Sequence, residues 1–191
     1  MKKESVLIAV IALVVGFLGG FLIGTMSTSG KAMQQNTAMP QGGGAPVDYA
    51  KRIAEAEKIV TQDPKNLNAW ISLGNDYFDT EQAQKAINAY GKALEIQPNN
   101  ANVLTDQGVM FRKVGWYDKA LINFEKALKI EPNHLQSLYN IGIVYEMDMK
   151  QPEKALAIWN RYLKLDSSSP TAMQVKEIMQ KSGANAKPTM K

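Results

Sequence analysis

The chain has no cysteine and a single histidine in 191 residues. Without cysteine there is no disulfide, no thiolate metal site, no covalent c-type haem attachment and no lipoprotein anchor cysteine. With His134 as the one imidazole, no Ser-His or Cys-His nucleophile system is available elsewhere. No stretch alternates as a strand does, and no glycine-rich loop follows a strand to cradle a phosphate. Excess charge is also scarce. Net charge is +4, and residues 1–45, with Lys2, Lys3, Lys31 and Glu4, account for +2 of it. The rest is close to neutral and gives no argument for nucleic acid. Asp76, Asp106, Glu146 and Asp148 read as solvated helix positions without metal-ligand spacing. No catalytic residue, cofactor or metal is expected, and no enzyme activity.

What is present is a period. Pro64, Pro98 and Pro132 stand 34 residues apart. Between them Trp70, Leu73, Gly74, Tyr77, Ala86, Tyr90 and Ala93 recur as Leu104, Gln107, Gly108, Phe111, Ala120, Phe124 and Ala127. They recur again as Leu138, Ile141, Gly142 and Tyr145. Such a period means stacked units in place of one unique core. Trp70, Leu73, Gly74 and Tyr77 fall at i, i+3, i+4 and i+7, one face of a helix. Ala86, Tyr90, Ala93 and Leu94 make a second face, and proline ends that helix. Two short amphipathic helices bury their apolar faces only by stacking on neighbours.

Leu73-Gly74-x-x-Tyr77, then Ala86-x-x-x-Tyr90-x-x-Ala93 and Pro98, resembles the tetratricopeptide repeat (TPR) family. The resemblance implies an all-α fold: a right-handed superhelix of three TPR helix pairs with flanking capping helices. The third unit departs from the pattern. Tyr145 to Ala155 is one residue longer than Tyr77 to Ala86, which places an extra residue in the helix–helix turn at Met147–Pro152. Ser167 stands where the proline is expected. Tyr49, Ile53, Ala56, Ile59 and Val60 make a capping helix ahead of the repeats. Ser169-Pro170 starts another behind them.

Residues 6–26 are apolar and uncharged, enough for a helix across a bilayer core of about 30 Å. The competing reading is a cleaved signal peptide, but this run is longer and lacks a good cleavage site. Lys2 and Lys3 favour an N-terminus in the cytoplasm. The expected order is therefore a cytoplasmic N-terminus (1–5), a transmembrane anchor (6–26), a flexible linker (27–46) and a TPR domain (47–181). Within the domain fall a cap (47–63), repeats at 67–98, 101–132 and 135–168, and a cap (170–181). A disordered tail (182–191) follows. In the anchor, Gly16, Gly20 and Gly24 form a ridge of small residues suited to helix pairing with the same or another chain. The expected location is the inner (cytoplasmic) membrane, single-pass, with the repeats in the periplasm.

In TPR proteins the stripe beside the core stripe of each first helix faces a concave groove that binds peptides. The resemblance assigns that groove to Asn68, Ile71, Asn75 and Phe78, then Asn102, Thr105, Val109, Arg112 and Lys113, then Gln136, Tyr139 and Ile143. The carboxylate-clamp subtype needs lysines where Ile71 and Thr105 stand, which argues against it. The implied function is a membrane-tethered scaffold for a protein or peptide client. It is similar to the TPR modules of bacterial cytochrome c maturation, which grip apocytochrome segments. The alternative is a structural subunit of an envelope complex, a secretion or pilus machine, joined through the repeats and the anchor.

Overall fold

The computed structural model describes residues 47–185. Among these are eight α-helices and no strand: α1 (Tyr49–Gln62), α2 (Leu67–Asp79), α3 (Ala83–Ile96), α4 (Ala101–Lys113), α5 (Tyr117–Ile130), α6 (Leu135–Ile143), α7 (Pro152–Leu165) and α8 (Pro170–Asn185). The expected anchor at 6–26, with Gly16, Gly20 and Gly24, and the linker at 27–46 lie outside the described residues, as do residues 186–191. Among the described residues no helix is long and apolar enough to cross a membrane.

The period is written into the helix ends. Asn66 Oδ1 accepts the Ala69 N–H at 3.0 Å, and Asn100 Oδ1 accepts the Val103 N–H at 3.1 Å. In the third unit His134 holds the same place, its Nδ1 accepting the Ser137 N–H at 3.3 Å. Each satisfies a donor that the first helical turn leaves unpaired. Helices α1, α3 and α5 end at Asp63, Gln97 and Glu131, each directly before a proline. A residue before proline is pushed out of the helical region. Where α7 ends with no proline, the Asp166 carboxylate accepts the N–H groups of Ser168 and Ser169, both at 3.1 Å. These bonds, those to Ser169 foremost, hold its carboxyl below the usual range.

Glycine sets the approach of the paired helices. A Cβ on Gly74 would stand 2.5 Å from the Tyr90 ring, and one on Gly108 2.5 Å from the Phe124 ring. At Gly142 it would run into Trp159. Each ring therefore packs against the glycine of the facing helix, and Tyr90, Phe124 and Trp159 are all fully buried. The middle unit varies the theme. Gln107, at the offset of Leu73 and Ile141, is buried and donates to the Ile87 carbonyl at 2.9 Å. Asn123 donates to Gln107 Oε1 at 2.7 Å, so this polar pair is satisfied inside the stack.

The extra residue of the third unit is not in the turn. Each turn has a cap, a residue with positive φ and an N-cap: Thr80-Glu81-Gln82, Val114-Gly115-Trp116, Met149-Lys150-Gln151. All three have the same length. The added residue is absorbed one turn earlier, where Val144–Asp148 forms a π-helical turn and the Met149 N–H bonds to the Val144 carbonyl at 2.9 Å. A π-turn admits one residue into a helix while keeping backbone groups paired. The carbonyls of Tyr77, Phe111 and Tyr145 still accept from the N-caps Gln82, Trp116 and Gln151.

Both ends of the stack carry polar substitutions. Asp76 stands in register with Met110 and Val144, and Arg52 with Ala86 and Ala120. Arg52 Nη2 lies 2.5 Å from Asp76 Oδ1. Asp76 is 1% exposed, so it is not the solvated position its sequence context suggested. Burial raises its carboxyl above the ordinary range, with Arg52 opposing. At the other end α8 continues through Asn185 and is not yet tail at Ser182, which is buried and donates to Glu146. Glu146 and Ser182 are 36 residues apart, the same separation as Arg112 and Asp148. Helix α8 thus occupies the place of a first helix in a fourth unit. The residues that would meet its missing partner are Met173, Lys176, Glu177 and Gln180, all exposed.

Candidate protein-binding face

Helices α2, α4, α6 and α8 lie side by side and form one face. Side-chain bonds join α4 to α6 and to the π-turn that follows it, Thr105 to Ser137 at 2.7 Å, Gln136 to Asp106 at 3.5 Å and Arg112 to Asp148, and join α6 to α8 through Tyr139 and Gln174. This is the inner face to which the groove residues were assigned.

Ten of the twelve assigned residues keep some surface, and two do not. Asn68, Asn75, Asn102, Lys113 and Gln136 are exposed. Ile71, Phe78 and Val109 are half-buried and pack against the core of the first unit. Arg112 and Tyr139 are half-buried. Thr105 is fully buried, its hydroxyl donating to the Ala101 carbonyl at 2.8 Å and meeting Ser137 Oγ. Ile143 is buried in the cluster that holds Trp159, Ala172 and Val175. Both corrections have one cause. Neighbouring first helices touch along this stripe, and α8 closes over its last member.

The polar groups are largely committed to one another. Asn75 Oδ1 accepts the Tyr90 hydroxyl at 2.8 Å. With its Nδ1 accepting from Ser137, His134 uses Nε2 to donate to Asn102 Oδ1 at 2.9 Å. Arg112 spans two units to Asp148, with contacts of 2.5 and 3.2 Å. Lys113 pairs with Glu81 at 3.0 Å. Asp106 is different. It was expected to be solvated, yet it is half-buried, and burial pushes its carboxyl up to about 6, with the Gln136 amide only partly opposing. The same burial, then the charge of Asp106, raises the Tyr90 phenol strongly.

Beside Gln136 and Tyr139 the face opens into a cavity of about 310 Å³, lined by Leu135, Tyr139 and Tyr162 with Gln136, Thr171 and Gln174 at its polar edge. Sequence reasoning missed the contribution of α8. The signal was there: Thr171 and Gln174 follow Gln136 and Tyr139 at 35 residues, the period plus the one inserted residue. The outer face also has hollows in register, beside Leu73 and Tyr77 and beside Ile141 and Tyr145. At the middle unit that position carries the buried Gln107–Asn123 pair.

Comparison with known proteins agrees with this architecture. Models of the tetratricopeptide repeat match residues 74–115, 101–134 and 123–157. The chain belongs to the tetratricopeptide repeat family. It is 35% identical over 98 residues to the PEX5-related protein of Rattus norvegicus, a match covering 46% of this chain and 16% of that protein. It is 30% identical over 67 residues to tetratricopeptide repeat protein 37 of Xenopus laevis, covering 35% of this chain and 4% of that protein. The match therefore spans a small part of either relative. Among solved structures, MamA aligns with a TM-score of 0.66 at 19% identity, over 72% of this chain and 80% of that one. The Arabidopsis OM64 TPR domain aligns with a TM-score of 0.56 at 19% identity, over 69% of this chain and 98% of that one. At these identities the likeness is one of fold. Members of this fold family are protein–protein interaction scaffolds, and TPR domains bind protein or peptide partners.

Proposed function

We propose that this chain is a membrane-tethered scaffold whose inner face holds an extended or helical segment of a client protein. It acts by binding and performs no catalysis. The observation that carries the reading is the Tyr139 cavity, an apolar hollow with a polar edge on the face built by the four first helices. Small, largely preformed apolar hollows edged by a few polar groups are the usual form of a binding site. The tether is residues 6–26, with the N-terminus in the cytoplasm and the repeats in the periplasm. Clients of this arrangement are exported proteins that need holding before assembly, c-type cytochromes among them. Membership of an envelope complex through the Gly16, Gly20 and Gly24 ridge is the competing role.

The test is client capture by the full chain in mild detergent. Tyr139→Ala should leave melting nearly unchanged and weaken capture by about 2 kcal/mol, the scale of an interface hot spot. Unchanged capture would move the client to the outer face or the ends. Haem-protein precursors in the captured fraction support the assembly role, and stable co-purifying membrane subunits support the envelope complex. A reporter fused after Lys191 should be active only when exported; cytoplasmic activity would reverse the topology.

A further inference from the structure

We infer that the inner face selects cationic segments: a bulky apolar side chain of the client enters the cavity at Tyr139, and a neighbouring lysine or arginine pairs with Asp106. The inference rests on the client-holding role and names the chemistry of the client.

Two independent features meet at one residue. Gln136 lines the cavity and also donates its amide to Asp106 Oδ1 at 3.5 Å, a long bond. The apolar hollow and the carboxylate are therefore neighbours. The cations of this face are already engaged: Arg112 with Asp148, Lys113 with Glu81 and Lys181 with Glu177. Among the described residues Asp106 has no such partner. The groups around it are the Tyr90 hydroxyl from α3, with Asp76 and Asp79 from α2 acting on that same hydroxyl, and Gln136 from α6. Asp76 is matched by Arg52, while Asp79 accepts the Tyr49 hydroxyl at 3.3 Å. His134 is occupied by Ser137 and by Asn102, one turn before Asp106 on α4. Asp106 itself sets a negative charge beside the hollow, and that charge would repel an acidic segment.

Half-burying a carboxylate without a cation raises its affinity for protons, as the shift to about 6 records. An opposite charge favours the ionised form. A client ammonium or guanidinium would return the group to its ordinary range, so binding it and releasing a proton are linked. Affinity should hold above pH 6 and fall as pH drops below it.

The experiment pans a random heptapeptide phage library on the immobilised full chain, with Tyr139→Ala as counter-selection. Clones that need Tyr139 should carry lysine or arginine beside a bulky apolar residue. A synthetic peptide of the leading clone should bind Asp106→Asn at least about ten-fold more weakly, the worth of one hydrogen bond to a charged group. Its binding to the wild type should weaken as pH is lowered through 6, while Asp106→Asn shows no such step. Replacing the peptide's cation by glutamate should abolish binding. If the Tyr139-dependent clones are neutral or acidic, or bind Asp106→Asn equally well, the charge selection is wrong and the client-holding face survives it. If no clone depends on Tyr139, that face itself is wrong and this inference falls with it.

Discussion

Asp106 stands at a position a soluble helix would ordinarily leave to water, and its half-burial has a cost in the unliganded protein. The sign follows from the direction of the shift. The folded state holds the Asp106 proton more tightly than the unfolded chain does, so the cost is absent below the ordinary carboxylate range. It grows as pH rises toward 6 and is complete above that. Asp106→Asn should therefore raise the melting temperature at pH 7.5, by a free energy on the order of 2 kcal/mol. At pH 3.5 it should change little. Thermal melts of both proteins at the two pH values check this; equal melting at pH 7.5 would mean that the carboxylate is well solvated. Arg52 and Asp76 show the contrasting arrangement, in which a deeply buried carboxylate is matched by a cation within the fold.

Among the helices, the controlling contact is glycine against an aromatic ring. Gly108→Leu would drive a side chain into Phe124, and overpacking of this kind costs about 1–3 kcal/mol. Because stacked units support one another, the loss should appear as lowered melting of the whole array and not as local fraying. Loss of cooperative melting temperature by differential scanning calorimetry is the readout, and an unchanged transition would contradict the pairing of α4 with α5. This level of the structure was the most legible in the sequence. The recurrence of Gly74, Gly108 and Gly142 marks where two helices touch, but not which ring each glycine meets. Two further things were not legible. An inserted residue looks the same wherever it is absorbed, so the π-turn at Val144–Asp148 was misplaced into the turn that follows. Helical spacing shows which residues share a stripe, but not that the next first helix lies along it, and so Thr105 and Ile143 were read as surface. The Tyr139 cavity was half legible, its α6 wall from the stripe and its α8 wall only from continuing the period past Ser169.

At the scale of the molecule, the three units are bounded by ends that do not offer the core chemistry found between them. Arg52 and Asp76 replace alanine and apolar residues at the buried contact of α1 with α2, and Lys176, Glu177 and Gln180, with Met173, face outward on α8. Polar terminal faces are what keep a stacked array soluble. They also fix where such a protein is able to grow. A new unit added beyond α8 would meet charged side chains, whereas a unit inserted between existing ones would meet glycine, alanine and aromatic rings on both sides. A second copy of residues 101–134 placed after His134 should fold into the array and raise its melting temperature. The same copy appended after Lys191 should leave the original transition where it was. If lineages of this chain differ in repeat number, the duplications should have entered through the middle, leaving the Arg52–Asp76 end and the α8 end as the oldest parts of the array.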